Sequence, residues 1–143
     1  SAIRGQGAMC NGQAIKVSAA PDLQHSLAAS GFASDLRETN NNRAEWSAFV
    51  ERCQGMARMG SCALDLCYVA SGRFDVYWEY GPTAIDRAAG ALIVWEAGGR
   101  LTDVDGQTYH AVDSTSTLAS NSLVHEEALE VLKLARQSVQ DRP

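Results

Sequence analysis

The first apolar positions of the chain alternate with polar ones and predict a β-hairpin over residues 5–17. Asn11-Gly12 is a strong signal for a two-residue turn, and Ile15 and Val17 alternate with polar residues after it. No predicted element precedes this hairpin. We interpret the abrupt start as a cut made inside a larger fold.

Beyond the hairpin, strand-like and helix-like segments alternate. Strands are predicted over residues 26–32, 57–59, 74–79, 101–104 and 117–120. Helices are predicted over residues 43–55, 62–70, 84–97 and 124–137, and the polar, Asn-rich residues 35–42 predict a loop. This alternation favours a layered α/β fold with a mixed β-sheet flanked by helices, to which the hairpin supplies antiparallel pairing. We expect residues 1–143 to form a single domain.

Two of the predicted helices carry further information. Residues 62–70 are apolar almost all round, apart from Asp65, which is typical of a buried helix, and Ser61 before them is a candidate N-cap. Residues 84–97 form the clearest helix, and Gly98-Gly99 predicts its left-handed end. The apolar positions along one face of that helix are Ile85, Ala88, Ala89, Leu92 and Ile93.

Composition and charge narrow the range of functions. The chain has 143 residues, of which 45% are hydrophobic and 20% charged, as is ordinary for a folded globular protein. Its net charge of −5 and pI near 5.1 argue against a nucleic-acid surface. The same charge gives no general attraction for an anionic substrate, so a phosphate site would need a metal ion or local backbone donors.

The sequence predicts neither membrane insertion nor a zinc site. No apolar run is long enough to span a bilayer, and there is no basic-then-apolar leader. The four cysteines, Cys10, Cys53, Cys62 and Cys67, form no C-x-x-C pair, and no His stands at ligand spacing. We interpret Cys62 and Cys67 as small hydrophobes, and free thiols suit a reducing cytosol, so we expect a cytoplasmic protein.

The run Arg58-Met59-Gly60-Ser61-Cys62-Ala63 leads from a short strand through a glycine into a helix N-terminus. Backbone N–H groups exposed at such a position can bind polar or anionic groups. A plain strand-to-helix turn with a serine cap explains the same residues, and local spacing alone favours that simpler interpretation.

Two carboxylates are further candidates. Glu79 ends a predicted strand, and ligands of open α/β sheets gather beyond the carboxyl ends of strands, although a solvated strand-end carboxylate is the simpler interpretation. Asp86 lies in the first turn of the clearest helix, where it has capping-box spacing with Thr83 and complements the helix dipole. Alternatively, Asp86 is a hard oxygen ligand for Mg²⁺, which would require other ligands as well.

Taken in order, these segments resemble the inositol monophosphatase family. Gly5-Gln6-Gly7-Ala8, with Asn11-Gly12, is similar to the hairpin that follows the catalytic motif of that family. Residues 60–75 (GSCALDLCYVASGRFD) resemble its central helix and strand. Its C-terminal signature is matched by Asp86, Ala88-Ala89-Gly90 and Glu96-Ala97-Gly98-Gly99. The segments occur in family order and cover nearly the whole chain.

The resemblance implies roles for particular residues. Asp86 matches the aspartate that binds the second metal and orients the attacking water, so it is the implied catalytic residue and metal ligand. Glu79 matches a carboxylate that contacts a hydroxyl of the inositol ring. Cys62 matches a position whose backbone contacts the ring, with Gly60 and Ser61 beside it as implied substrate-binding residues. The family hydrolyses phosphomonoesters with metal-activated water, requires Mg²⁺, is typically inhibited by lithium and commonly forms homodimers.

Two departures from the family pattern matter. Ala84-Ile85 stands where the family usually has Pro-Trp, whose Trp helps to shape the wall of the site. The upstream glutamate and the D-P-x-D-G-T/S motif are absent, and Asp103-Val104-Asp105-Gly106 is better interpreted as a turn between strands. We therefore expect a C-terminal inositol monophosphatase-like domain that lacks the N-terminal catalytic-motif half and is inactive alone.

Two functions remain open at this stage. In the first, the chain is the C-terminal part of a Mg²⁺-dependent phosphatase for inositol monophosphate, histidinol phosphate or a sugar bisphosphate. Its partners would then be the small phosphomonoester, the N-terminal half of the same fold and a second copy in a homodimer. In the second, it is a catalytically incomplete remnant that acts as a binding or dimerisation module.

Overall fold

The computed structural model describes residues 1–32 and 42–140. Its strands are β1 (Ala8–Cys10), β2 (Gln13–Ile15), β3 (Leu27–Ser30), β4 (Gly55–Ala57), β5 (Val76–Tyr80), β6 (Arg100–Thr102) and β7 (Ser116–Ser120). Its helices are α1 (Arg43–Val50), α2 (Cys62–Ala70), α3 (Ala84–Glu96) and α4 (His125–Gln140), with one turn of 3-10 helix at Leu23–His25. The predicted loop over residues 35–42 lies outside the described residues, apart from Asn42. In the described part, no helix is both long and apolar enough to cross a bilayer.

Five strands form one mixed sheet in the order β4-β3-β5-β7-β6. β4, β3 and β5 run parallel, and β7 pairs antiparallel with both β5 and β6. Each step within the parallel part passes through a helix, α1 between β3 and β4 and α2 between β4 and β5, because parallel strands need a crossover connection. The predicted fold class, a layered mixed sheet flanked by helices, is confirmed.

The N-terminal hairpin is also confirmed, but it stands apart from the main sheet. β1 and β2 pair with each other, with Cys10 opposite Gln13. Asn11 and Gly12 have φ values of 51° and 79°, the left-handed values that a type I′ turn requires. The expectation that this hairpin supplies the antiparallel pairing of the mixed sheet is wrong. Ala8 packs the hairpin into the helical layer instead, and β6 and β7 supply that pairing.

Strand side chains alternate between two apolar cores. In β5, Tyr77 faces the core beside α2 and α3, whereas Val76 and Trp78 face the core beside α1 and α4. In β7, Ala119 faces the core beside α2 and α3, and Leu118 faces the core beside α1 and α4. Helices therefore cover both faces of the sheet, and the strand ends are where its polar side chains can meet solvent.

The first helix is shorter than predicted, and the next strand begins earlier. α1 ends at Val50 rather than near residue 55, and the N–H of Cys53 bonds back to the carbonyl of Phe49 at 2.8 Å. The N–H of Gln54 then donates to the Ser26 carbonyl, and β4 pairs with β3 immediately afterwards. Pairing with β3 therefore decides where the helix stops, and the helical spacing of its apolar residues does not contain that information.

The face of α3 that packs against the protein differs from the apolar face seen in the sequence. Ile85 is 93% exposed, and Ala88 and Ala89 are exposed as well. The reason is the close packing of α3 against α2. A Cβ placed on Gly90 would lie 2.7 Å from the Cβ of Leu66, so the two helices can pack this closely only where α3 presents Gly90. The buried residues of α3 are Arg87, Gly90, Ala91 and Val94.

Both predicted helix boundaries around the site region are confirmed. At the start of α2, Oγ of Ser61 accepts the N–H of Leu64 at 3.4 Å. After α3, Gly98 has a φ of 85°, and the N–H of Gly99 returns to the Val94 carbonyl at 2.9 Å. That bond pattern is a Schellman motif, which satisfies the last carbonyls of the helix.

Residues 103–106 form the turn that the sequence predicts. Oδ1 of Asp103 accepts the N–H groups of Asp105 and Gln107, at 2.9 and 2.8 Å, and Gly106 has a φ of 81°. The Asp103 carboxylate thus stabilises its own loop, as an Asx turn does.

Candidate functional site

A polar cleft opens at the carboxyl end of β5, beside the N-termini of α2 and α3. Its volume is about 430 Å³. All five residues singled out from the sequence line it: Gly60, Ser61, Cys62, Glu79 and Asp86. The structure therefore brings three separate segments of the chain to one place, and the roles implied for their residues stay predictions.

One wall of the cleft is the N-terminus of α2. Gly60 has a φ of 78°, a left-handed value that favours glycine, and it turns the chain into the helix. Gly60, Ser61 and Cys62 line the cleft, so the positive end of a nine-residue helix borders it. Burial raises the pKa of the Cys62 thiol to about 11, so at neutral pH this residue offers its backbone rather than a thiolate.

Glu79 is positioned by two neighbours. Tyr77, two residues earlier on the same face of β5, donates its hydroxyl to Oε2 of Glu79. Gly31, just after β3, leaves space for the carboxylate, because a Cβ at position 31 would lie 2.1 Å from Oε1 of Glu79. A larger residue at position 31 would therefore displace Glu79.

The groups around Glu79 have opposing effects on its pKa. Burial raises the pKa of Glu79 above its ordinary value, the Tyr77 hydroxyl lowers it, and the negative charge of Asp86 raises it further. Arg58 lowers that pKa, and its guanidinium lies 4.9 Å from the ring centroid of Phe32. The cleft thus holds two carboxylates that repel each other, an arrangement that a bound cation would relieve.

Asp86 caps its own helix. Its Oδ2 accepts the N–H of Thr83 at 3.1 Å and the Thr83 hydroxyl at 2.5 Å, as the capping-box spacing predicts. Both contacts use the same oxygen, and the side chain is exposed at the cleft. The capping role and a ligand role are therefore compatible, because Oδ1 could reach a further group.

Ile85 does not replace the tryptophan that the family usually has before this aspartate. Its side chain points to solvent and is 93% exposed, so it forms no wall of the cleft. On this side the cleft is bordered by Gly81, Pro82 and Thr83 instead.

The oxygen donors of the cleft suit a hard cation, but they do not form a complete ligand set. Carboxylates such as those of Asp86 and Glu79 are ligands that Mg²⁺ prefers. Within residues 1–32 and 42–140, no group of three or more His, Cys, Asp or Glu side chains could hold a metal ion. Asp86 by itself is therefore an incomplete set of ligands for magnesium, and its role as a ligand stays a prediction.

Sequence reasoning missed three residues that shape this cleft: Gly31, Phe32 and Tyr77. Tyr77 had a usable signal, because residues two apart in a strand share a face and Glu79 was already a candidate. Gly31 and Phe32 had none. Gly31 reaches Glu79, and Phe32 reaches the cleft, because β3 pairs in parallel with β5, with Ser30 opposite Trp78.

Comparisons with known proteins agree with this geometry. The family model described as the inositol monophosphatase family matches residues 1–140. The chain is 37% identical over 143 residues to phosphatase IMPL1, chloroplastic, of Arabidopsis thaliana. That match covers 99% of this chain and 38% of the Arabidopsis protein. It is 40% identical over 137 residues to Nus factor SuhB of Haemophilus influenzae. That match covers 93% of this chain and 50% of the Haemophilus protein. The solved structure of inositol monophosphatase from Anabaena matches with a TM-score of 0.87 and 41% identity, covering 91% of this chain and 52% of that one.

A mixed sheet between two helical layers, with a carboxylate-bearing cleft at strand ends and helix starts, defines a layered α/β protein with a polar cleft. Within that class, the chain belongs to the inositol monophosphatase family. The resemblance seen in the sequence is thereby confirmed. The chain spans about half the length of these relatives, or less.

Proposed function

We propose that this chain is the C-terminal part of a Mg²⁺-dependent phosphomonoesterase that hydrolyses inositol monophosphate or a related small phosphate ester. One observation carries the proposal: Asp86, Glu79 and the N-terminus of α2 line a single cleft. Family membership supports it, and so do the names of two relatives, a phosphatase and an inositol monophosphatase.

Asp86 is the proposed catalytic residue and metal ligand. When Mg²⁺ is bound, it supplies positive charge that stabilises the attacking and leaving oxygens. Asp86 would contribute one carboxylate to its coordination and would accept a hydrogen bond from the attacking water, which orients that water for attack. The two hydrogen bonds from Thr83 hold this carboxylate at the start of α3, so its position does not depend on the substrate.

The organic part of the substrate binds against Glu79 and the start of α2. Glu79 accepts a hydrogen bond from a ring hydroxyl, while Tyr77 fixes the orientation of its carboxylate. Backbone groups of Gly60, Ser61 and Cys62 contact neighbouring hydroxyls at the helix N-terminus. Since the Cys62 thiol remains protonated, no thiolate nucleophile takes part.

The remaining metal ligands come from an N-terminal half of the same fold. This chain spans about half of a solved family structure, and one helix-borne aspartate cannot hold a catalytic magnesium site alone. The exposed apolar residues of α3, among them Ile85, are then available to be covered by that half or by a second copy in a homodimer. Lithium inhibition and a cytoplasmic location belong to the same proposal.

The direct test is phosphate release by the full-length protein with Mg²⁺ and inositol monophosphate. Asp86→Asn should lower kcat by about 10²-fold or more, because it weakens both the metal ligand and the orientation of water. Glu79→Gln should mainly raise KM, and Asp113→Asn, an exposed carboxylate that does not line the cleft, is the matched control. Unchanged turnover by Asp86→Asn would exclude the proposed role.

A substrate panel defines the specificity. Histidinol phosphate and a sugar bisphosphate are assayed beside inositol monophosphate, and the largest kcat/KM identifies the class of ester. If the full-length protein releases no phosphate from any of them with Mg²⁺ present, the phosphatase proposal is wrong. Binding of an inositol phosphate without turnover, measured by calorimetry, would then favour the alternative of a catalytically incomplete binding module.

A further inference from the structure

A second cleft lies between the β1–β2 hairpin and α2. It has a volume of about 540 Å³, and none of its lining residues belongs to the polar cleft around Asp86. Two of the four cysteines line it, Cys10 from the hairpin and Cys67 from α2. The proposed hydrolytic function uses neither of them.

Local geometry explains why both thiols reach this cleft. Cys10 lies two residues after Ala8 in β1, so both project from the same face of the strand. Ala8 is buried in the core with α2 and α3, which directs Cys10 towards the same helical layer. On α2, Cys67 lies three residues after Leu64, and both line the cleft from one side of the helix.

The four thiols differ in their availability for reaction. Cys10 is exposed, whereas Cys62 is buried and both Cys53 and Cys67 are half-buried. Burial raises the pKa of Cys53 to about 12 and that of Cys62 to about 11, which suppresses their thiolates. Burial also raises the pKa of Cys67, the positive charge of the Ser1 ammonium lowers it, and the Cys10 thiolate raises it slightly. Cys10 is therefore the accessible thiol, and Cys67 lines the same cleft from the opposite wall.

The cleft also carries a cation. Arg73 lines it and is exposed, and its guanidinium lies 5.3 Å from the ring centroid of Tyr68. In the part of the chain that the structure describes, Arg73 takes part in none of the salt bridges. Its charge is thus available to a carboxylate on a ligand that enters the cleft.

We propose that Cys10 and Cys67 form a dithiol site that reacts with small anionic disulfides of the glutathione type, with Arg73 attracting their carboxylates. The Cys10 thiolate attacks the disulfide and displaces one small thiol, leaving a mixed disulfide on Cys10. The Cys67 thiolate then attacks the Cys10 sulfur, forms the Cys10–Cys67 disulfide and displaces the second small thiol. Two protein thiols are oxidised, one small disulfide is reduced, and the two protons end on the released thiols.

Peptide mapping tests the site. The purified protein is incubated with excess oxidised glutathione, its remaining thiols are alkylated in acid, and it is digested with trypsin. Residues 5–16 should become linked to residues 59–73, with fragmentation placing the bond on Cys67 rather than Cys62. Cys67→Ser should stop at a glutathione adduct on Cys10, and Cys53→Ser should behave like the parent protein. A stable glutathione adduct on Cys10 of the parent protein, or a bond to Cys62, would overturn the proposal.

A second comparison tests the role of Arg73 without depending on the bond itself. Arg73→Gln should slow the reaction with oxidised glutathione by about fivefold, the effect of one lost charge–charge contact of about 1 kcal/mol. The reaction with the neutral bis(2-hydroxyethyl) disulfide should be unchanged. Equal rates for Arg73→Gln and the parent protein with both reagents would remove Arg73 from the site. Non-reducing electrophoresis must show a monomeric product, because links between two chains would contradict an internal dithiol.

Discussion

Glu96 and Gly7 are joined by a hydrogen bond of 2.8 Å from the N–H of Gly7 to Oε2 of Glu96. The N–H of Gly5 donates to Oε1 at the same distance. Gly5 and Gly7 have φ values of 76° and 81°, and this left-handed backbone turns the N–H groups of both glycines towards one carboxylate. The first and last family-like segments of the chain are therefore tied together by a single side chain.

Replacing Glu96 by Gln should lower the free energy of unfolding at neutral pH. Backbone donation by Gly5 and Gly7 lowers the pKa of Glu96 below its ordinary value of 4.5. The folded pKa is lower than the unfolded value of 4.5. The stabilisation is therefore fully present above pH 4.5 and is lost as the pH falls through the folded pKa. Urea unfolding at pH 7 and at about pH 3 measures it. Glu130→Gln, an exposed glutamate of α4, is the control, and an equal loss at both pH values would contradict this account.

Gly31→Ala should move Glu79. The added methyl would lie 2.1 to 2.8 Å from atoms of the Glu79 carboxylate, so the flexible carboxylate must shift away from it. We expect a higher KM in the full-length enzyme, little change in kcat, and a stability loss of about 1 kcal/mol. Steady-state kinetics and urea unfolding measure these effects.

Gly55→Ala is the matched control for that substitution. It makes the same change in β4, which pairs with β3 on the edge away from β5 and Glu79. There the new methyl would lie 3.1 Å from a methyl of Leu27 and would meet no other atom within 4 Å. An unaltered KM in Gly31→Ala, or an equal rise in both variants, would show that Gly31 does not position Glu79.

Gly90→Ala should destabilise the protein even though alanine favours helix. The new Cβ would lie 2.7 Å from both Cβ and Cδ1 of Leu66, so α2 and α3 must separate. We expect a loss of about 2 kcal/mol from overpacking, partly offset by the gain of about 1 kcal/mol in helix propensity. Denaturant unfolding measures the net effect. The double variant with Leu66→Ala should show strong coupling, and simple additivity of the two losses would contradict direct contact.

Asp65→Asn should stabilise the protein at alkaline pH. Asp65 is buried, and within the described residues neither of its oxygens has a hydrogen-bond partner. Burial raises its pKa to about 6, and the charge of Glu79 raises it as well. Since the folded pKa is the higher one, ionisation costs stability as the pH rises from the unfolded value of 3.8 through the folded value. Removing the charge should therefore add about 3 kcal/mol at pH 8, because each unit between the folded and unfolded pKa values is worth about 1.4 kcal/mol.

The pH dependence separates this effect from a general change in packing. The gain from Asp65→Asn should disappear near pH 4, where the carboxyl is protonated in the folded state. Denaturant unfolding across this range is the measurement, and Asp113→Asn, an exposed aspartate, controls for net charge. A gain that stays constant with pH would contradict an ionised Asp65 in the folded protein.

Much of the local structure could be predicted from the sequence. The Asn11-Gly12 turn, the Ser61 cap and the Gly98 helix end were all predicted, and the structure contains each of them. Helix α2, predicted from Cys62 to about Ala70, runs from Cys62 to Ala70. These features depend on backbone preferences and hydrogen bonds within a few residues, so the adjacent side chains suffice to specify them.

The tertiary structure alone decided what depends on distant segments. The register between β3 and β5 brings Gly31 to Glu79, and the contact of Gly90 with Leu66 selects the face of α3 that is buried. The separate position of the hairpin and the early end of α1 also follow from such contacts. The sequence by itself therefore determined the elements, the family and the candidate residues. Their mutual placement required the fold, because packing and strand pairing join side chains whose separation along the chain carries no local signal.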